Sequence, residues 1–596
     1  MGLLQKAVET YDAHANLVGK IREGHQPLAP IGHTVTSAAI EITLDGQGCL
    51  VNIAKVDKDA PKIIIPVTEE SAGRTSAPAP HPLCEQLGYL SGEDEKKFDL
   101  YVNQLEAWEE SPYSHPALKV ILEYVKKQTL LNDLSQFDMG KTDKKSLICW
   151  RVIGIGQESG PCWTNQNLFQ SFTDWYKSLR EQSNSKEDLC MITGETSFLA
   201  TQHLKGIVPA NGNAKLISSN DSANFTYRGR FTDDSQAATV SYEASQKAHN
   251  ALRWLATNQG VMYGGRTFLC WNPQGKKMPR PNLPFLRDGV VCTNPTDYRQ
   301  NLLKTLRGWH SELPEATGVV IAAFDAATSG RLSLTYYSEL LSSDFLQRLH
   351  DWDNICCWWS WNSETHRYNM VQSPSLAQIV NSAFGIQRNT NLSTDDKIMK
   401  QQIQRLISCR VDKALFPTDI KQTLVNRAST PQSYEYYIYQ RLLSTACAVI
   451  RKYHHDYMKE DLAMVLEKER PDRSYQFGRL LAVLEKVERD TYDRDENREP
   501  YAIRLQSRYS QHPFSTFRNI EEQLERAYFP RIKPGQRAFY KRLIGEIIER
   551  INEFPDYEWN KPLGDTYLIG YYLQRNELYK PKTQATQEQF NDQKED

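Results

Sequence analysis

Two short runs of β-forming residues, Ala38-Ala39-Ile40-Glu41-Ile42-Thr43-Leu44 and Cys49-Leu50-Val51-Asn52-Ile53, flank Asp45-Gly46-Gln47-Gly48. Such runs around a glycine-rich four-residue connection predict a hairpin. Further strands are predicted at 147–153, 225–231 and 332–337, with helical patterns between them near 95–109, 116–130, 164–180 and 241–258. The mixture predicts an irregular α+β body. After about residue 375 the strand signals stop. Ile438, Leu442, Thr445, Val449 and Tyr453 recur at helical spacing, as do Phe477, Leu480, Leu481, Leu484 and Val487, and then Tyr540, Leu543, Ile547, Ile551 and Phe554. Each set predicts one apolar stripe on an amphipathic helix, and together they predict a helical bundle. Pro471 and the charged stretch 490–500 are its expected breaks. The expected fold class is therefore α+β: a mixed body with β-hairpins over 1–375, then a helical bundle over 376–596. No period of 20–50 residues points to a solenoid.

The length of 596 residues is enough to bury sizeable cores without disulfides or metal. Lys and Arg number 71 against 73 Asp and Glu, a net charge of −2, which excludes a globally basic coat but not a local basic groove. The eleven cysteines are scattered singly except for Cys356-Cys357, without C-x-x-C, as expected of free thiols in a reducing compartment. The start lacks the apolar core of a signal peptide, and the best apolar run, 318–324, is far below the ~20 residues of a membrane span. A cytoplasmic, soluble protein with no membrane segment is expected.

The enzyme motifs fail on spacing. Gly140-Lys141-Thr142 lacks the glycine a phosphate-binding loop needs five residues before Gly140, where Ser135 stands. Gly154-Ile155-Gly156-Gln157-Glu158-Ser159-Gly160 has one residue too many for a dinucleotide turn and is read as a surface turn. No G-x-S-x-G or H-E-x-x-H occurs. Adjacent His454 and His455 point to different helix faces, and Cys190 with His203 lacks two further partners, so no metal site is expected. Asp325 and Asp344 are the carboxylates a hidden nuclease would use. No cofactor and no catalytic group are assigned.

Charge arrangement does stand out. Residues 244–287 contain no acid where about five are expected. They hold Lys247, Arg253, Arg266, Lys276, Lys277, Arg280 and Arg287, interleaved with Trp254, Tyr263, Phe268 and Trp271, and Lys215, Arg228 and Arg230 precede them. Phosphates require cations, and unstacked bases favour aromatic faces. A second acid-free stretch, 526–545, carries Arg526, Arg531, Lys533, Arg537, Lys541 and Arg542; a third, 500–520, carries Arg504, Arg508 and Arg518. The plainer reading of each is a solvated face paired with acids elsewhere.

Several stretches carry a resemblance. They are Ala214-Lys215-Leu216-Ile217-Ser218-Ser219-Asn220, Phe225-Thr226-Tyr227-Arg228-Gly229-Arg230-Phe231, Val240-Ser241-Tyr242-Glu243-Ala244-Ser245-Gln246-Lys247, and Asn250-Ala251-Leu252-Arg253-Trp254-Leu255. With His81-Pro82-Leu83-Cys84-Glu85-Gln86-Leu87-Gly88-Tyr89-Leu90, Gly160-Pro161-Cys162-Trp163, Gly330-Arg331-Leu332-Ser333 and Gly570-Tyr571-Tyr572-Leu573-Gln574-Arg575, they occur in matching order from about 80 to 580. This resembles the large subunit of the type I-C CRISPR Cascade complex, whose end often has His where Leu573 stands.

The resemblance implies a non-catalytic subunit working with a guide RNA that supplies sequence recognition. Its role would be to check a short flanking motif (the PAM) in target double-stranded DNA, to aid unwinding and R-loop formation, and to help recruit a helicase–nuclease. The implied partners are Cascade backbone and foot subunits and a small subunit resembling the C-terminal helices. That subunit would be made by internal initiation, for which Met458 and Met464 are the available starts. The expected DNA contacts are Asn220, Arg228 and Arg230 on the hairpin, then Lys276, Lys277 and Arg280 on a proline-rich loop, with Arg531, Lys533, Arg537 and Lys541 holding phosphates in the C-terminal region. The alternative is a structural assembly protein that binds other proteins only.

Overall fold

The computed structural model describes residues 2–74, 77–137, 143–182, 187–210, 212–218, 238–286, 289–362, 365, 367–493, 496 and 498–580. The fold is mixed α+β. It comprises two compact units, Met1–Met278 with Thr317–Leu340, and Pro279–Ala316 with Leu341–Asp596. The expected boundary near residue 375 falls inside the second.

In the first unit the predicted hairpin forms. Ile40–Leu44 and Leu50–Lys55 pair antiparallel, with Asp45 Oδ1 accepting from the Gln47 and Cys49 amides at 2.9 Å to close the turn. Ile148–Val152 then adds to Ile40–Leu44 in parallel, placing Ile42 opposite Trp150. Parallel pairing buries both faces. The strand Ile148–Val152 accordingly reads Ile-Cys-Trp-Arg-Val rather than as an alternation, and Trp150 is fully buried. Trp150 Nε1 and the Tyr101 hydroxyl both donate to the Leu83 carbonyl, at 2.8 and 2.7 Å. These two bonds pin Leu83 at φ +72°, a left-handed conformation unfavourable for leucine by about 1–2 kcal/mol. The bend presents Glu85 to Arg74.

The second sheet of this unit runs Arg331–Leu341, Gly318–Thr328, Arg266–Trp271, Val261–Tyr263. Gly264 and Gly265, both at positive φ, make the two-residue turn between its last two strands. Helices Leu3–Ala13 and Tyr242–Gln259 share a core with this sheet, where Ala7, Tyr11, Leu252 and Leu255 meet Leu269, Trp271, Val320 and Phe324.

The second unit is mainly helical but not free of strands. Ile386–Arg388 and Asn391–Ser393 form a hairpin beyond residue 375, with Asn389 at φ +51°. The three predicted stripes fall on helices Tyr436–Met458, Arg473–Arg489 and Pro534–Asn552, with Phe554 just beyond the last. The middle helix is not amphipathic in use. It is buried nearly all round, because its polar side chains join an internal network. There Arg479 Nε donates to Gln574 at 3.0 Å, while Glu485 accepts from Tyr571 at 2.6 Å and from Arg575. No helix spans the segment around Met464: residues 459–472 are irregular, and Met464 is buried against Cys357.

His454 ties the end of the Tyr436–Met458 helix to two other segments. Its Nδ1 meets Glu460 and its Nε2 meets Asp565, each at 2.9 Å. Lys421 flanks Asp565 and Arg470 flanks Glu460. Burial opposes the imidazolium, but the bonds to Asp565 and Glu460 outweigh it and raise the pKa. The bridge is therefore complete below the ordinary imidazole value of about 6.5 and is lost as pH rises through the raised value. Thermal unfolding followed from about pH 6 to about pH 9 should show a loss that His454→Gln abolishes. Parallel curves for the two proteins would contradict it.

Candidate nucleic-acid interface

Asn220, Arg228 and Arg230 lie outside the described residues, as does the strand expected at 225–231. The described chain reaches Ser218 and resumes at residue 238. Around Lys215 the backbone is firmly held. Lys215 N donates to Gly330 O at 3.0 Å, and Leu332 N donates to Lys215 O at 2.9 Å.

The acid-free window 244–287 is less available than its composition suggests. Lys247 meets Asp12 and Glu243 at 3.0 and 2.8 Å, and Arg266 meets Asp325 at 2.9 Å. Arg253 is spent on Gly206 O, Lys205 O and the Thr34 hydroxyl. Phe268 and Trp271 are core residues, Trp271 donating to Thr10 Oγ1, and Trp254 stacks obliquely on His14. Lys276, Lys277 and Arg280 do stand exposed. The Asn272 side chain orders the turn before them by accepting from Lys276 N at 3.0 Å. Lys276 and Lys277 end the first unit, and Arg280 lies in the second.

The C-terminal run divides similarly. Lys541 pairs with Glu525 at 2.7 Å, Arg526 with Glu522 at 2.7 Å and Arg518 with Glu521 at 2.7 Å. Acids just outside each window supply these partners. Arg531, Lys533 and Arg537 are exposed, and no carboxylate pairs with them among the described residues. Lys533 is the N-cap of helix Pro534–Asn552, whose first turn has no acid. Cations at the positive end of a helix are unfavourable by a few tenths of a kcal/mol unless an anion joins them.

A further basic site lies, apart from Arg253, outside the sequence windows. The first unit contains a cleft of ≈ 1180 Å³ lined by Lys62, Arg74, Lys97, Lys144, Lys145, Lys205 and Arg253, with Glu93 and Asp94 as its acids. Lys97 and Lys144 are neutralised by Asp94 and Glu93 at 2.8 and 3.0 Å. Arg74 is gripped by buried Glu85, Nη2 to Oε1 at 2.9 Å. Lys205 and Lys215 stand opposite each other across an antiparallel bridge, which places their side chains on one face. Neither meets a carboxylate within ion-pair distance among the described residues. Burial, then Lys215 and Arg74, lower the pKa of Lys205; burial lowers that of Lys215. Burial, Arg74 and Lys205 hold His81 down to about 3; burial, His249 and Lys215 hold His203 down to about 3. Burial is the main reason these imidazoles are neutral, and the neighbouring cations add to it.

The remaining candidates are engaged structurally. Asp325 neutralises Arg266, and Asp344 sits in the first turn of helix Ser342–Ile355. Cys190 Sγ accepts from Ser241 N, His203 meets the Ser245 hydroxyl and His455 meets Asp461. The Gly154–Gly160 stretch forms a short turn, as expected. Among the described residues no group of three His, Cys, Asp or Glu could hold a metal ion, and no helix is long and apolar enough to cross a membrane.

None of the curated proteins matches the chain. The family CRISPR-associated protein (Cas_Csd1) matches residues 8–579. That match takes in both compact units, the basic cleft and the exposed Arg531–Arg537 cations, and the chain belongs to this family, that of the type I-C Cascade large subunit.

Proposed function

We propose that this chain is the non-catalytic large subunit of an RNA-guided surveillance complex, reading a short motif in duplex DNA beside the target. It then aids strand opening and R-loop formation and helps recruit the helicase–nuclease. The observation that carries the reading is charge placement. A chain of net charge −2 leaves Lys205, Lys215, Arg531, Lys533 and Arg537 without carboxylate partners among the described residues. Guide pairing would supply sequence recognition, and Asn220, Arg228 and Arg230 would inspect the flanking duplex from the segment that follows Lys215.

The test is duplex binding by the purified complex carrying Arg228→Ala and Arg230→Ala. The complex should assemble, while affinity for the motif-containing duplex falls. A lost base contact costs ~1–3 kcal/mol and shows motif dependence, whereas a lost phosphate contact weakens all sequences alike. Failure to assemble would make both arginines structural.

Neutralising Arg531, Lys533 and Arg537 together should spare motif recognition but slow strand opening on every target, because phosphate contacts carry no sequence information. Permanganate reactivity of the opened strand reads this directly; unchanged opening at physiological salt would remove these residues from the interface.

A second reading, assembly through protein contacts alone, draws on the surface ion pairs of Lys541, Arg526 and Arg518. Either reading accommodates a small subunit started at Met458 or Met464. Both starts keep every helix from Arg473 onward and discard Tyr436–Met458, against which Leu568 and Arg575 pack. Such a product needs a partner to cover that face.

A further inference from the structure

Arg74, Lys205 and Arg253 line the first unit's cleft, and Lys215 stands opposite Lys205. The carboxylates that act on this group, Glu85 on Arg74 and Glu69 on Lys215, are already engaged. Glu69 is occupied by Arg180, the Thr201 hydroxyl and amide, and the Gln202 amide. Glu85 is occupied by Arg74 and by the amides of His81 and Gln86. Arg253 binds neutral acceptors only. Like charges directly opposed across paired strands are unfavourable on their own. Lys205 and Lys215 hold that position without a carboxylate at ion-pair distance from either among the described residues, Glu69 acting on Lys215 only from beyond that distance.

Space and walls narrow the ligand. A volume of ≈ 1180 Å³ lies just above the range of small-molecule pockets, about 300–1,000 Å³. It holds a few nucleotides of one strand but not a double helix. Ala38, Pro78, Leu147 and Val208 give it apolar wall suited to sugars and base faces. Lys62 and Lys145 also line the cleft, adding cations to a track for a chain of phosphates.

We propose that this cleft receives a single-stranded polynucleotide segment, one phosphate of which lodges against Lys205, Lys215 and Arg74. The proposal deepens the nucleic-acid reading above and rests on it for the choice of a polynucleotide over an acidic peptide. It assigns to the cleft a separated strand, while duplex inspection belongs to the segment containing Arg228 and Arg230.

The experiment is competitive acylation of lysines in the intact full-length chain, read by mass spectrometry. Lys205 is a good reporter because its lowered pKa leaves more free amine at mildly alkaline pH. The additions, at matched ionic strength, are sodium chloride, a single-stranded oligothymidylate, a blunt DNA duplex and polyglutamate. The single strand should slow acylation of Lys205 and Lys215 several-fold and leave exposed Lys119 unchanged. The proposal is overturned if the single strand gives no protection, or if the duplex or polyglutamate protects equally. In a second arm, Lys205→Ala with Lys215→Ala should weaken oligothymidylate binding about tenfold and reduce its salt slope by about 0.7, the share of one phosphate on a single strand. Undiminished binding also overturns it. If the assembled complex fails to bind duplex DNA while the single strand still protects Lys205, the duplex reading falls and this one stands.

Discussion

Replacing Arg410 with Met is expected to destabilise the second unit by about 3–5 kcal/mol, the cost of stranding a buried charge. Arg410 and Asp353 are both fully buried and joined at 2.6 Å. The same guanidinium donates to Pro281 O at 3.0 Å and to Leu283 O at 2.6 Å. Asp353 Oδ2 accepts from the Phe285 amide at 2.6 Å. One pair thus fastens residues 281–285 to helices Ser342–Ile355 and Asp396–Val411. Burial pushes the Asp353 carboxyl above its ordinary range against the pull of Arg410. Hydrogen exchange of the two helices in the full-length chain should accelerate in Arg410→Met. Adding Asp353→Asn should restore part of the loss, since Asn still accepts from Phe285 and leaves no unpaired charge. Equal protection in wild type and Arg410→Met would contradict the account.

Gly478→Ala should also be severe, costing about 3 kcal/mol, the upper end for overpacking a tight contact. Helices Arg473–Arg489 and Thr566–Tyr579 run parallel with their backbones touching. A Cβ on Gly478 would lie 1.9 Å from Tyr567 O, and one on Gly570 would lie 2.2 Å from Tyr475 O. Both obstacles are backbone and cannot swing aside. Gly545→Ala is the control. It sits in helix Pro534–Asn552 with nothing within 4 Å, so it should be neutral or gain up to about 1 kcal/mol from helix propensity. A drop in thermal stability for Gly478→Ala and none for Gly545→Ala is the expected pattern; matching effects would show that the close approach does not matter.

Much of the fold was legible because periodicity reports it directly. The 38–53 hairpin and the helices near 95–109, 166–182 and 242–259 follow from spacing alone. The small hairpin at 386–393 was not legible, since its strands have three residues each and its turn rests on Asn389 rather than on a glycine. The burial of Arg479 and Glu485 was equally hidden, because their partners Gln574 and Arg575 lie about ninety residues on. The site followed the same rule. Acid-free windows marked Lys276, Lys277, Arg280, Arg531, Lys533 and Arg537, which are exposed. They also marked Lys247, Arg266 and Lys541, which Asp12, Asp325 and Glu525 neutralise across the fold. The cleft was marked only by Arg253. Its other cations run from Lys62 to Lys205 through segments that are ordinary one at a time, and only the fold brings them to one cavity.

If unpaired cations hold nucleic acid on this subunit, its affinity must follow ionic strength. The most direct measurement is the affinity of the purified complex for a motif-containing duplex as a function of salt. The logarithm of affinity should fall linearly and steeply with the logarithm of salt concentration, losing about 0.9 in slope per phosphate neutralised on duplex DNA. The slope should shrink when Arg531, Lys533 and Arg537 are neutralised. An affinity indifferent to salt, with the complex intact, would contradict phosphate contact and leave the protein-only assembly reading in its place.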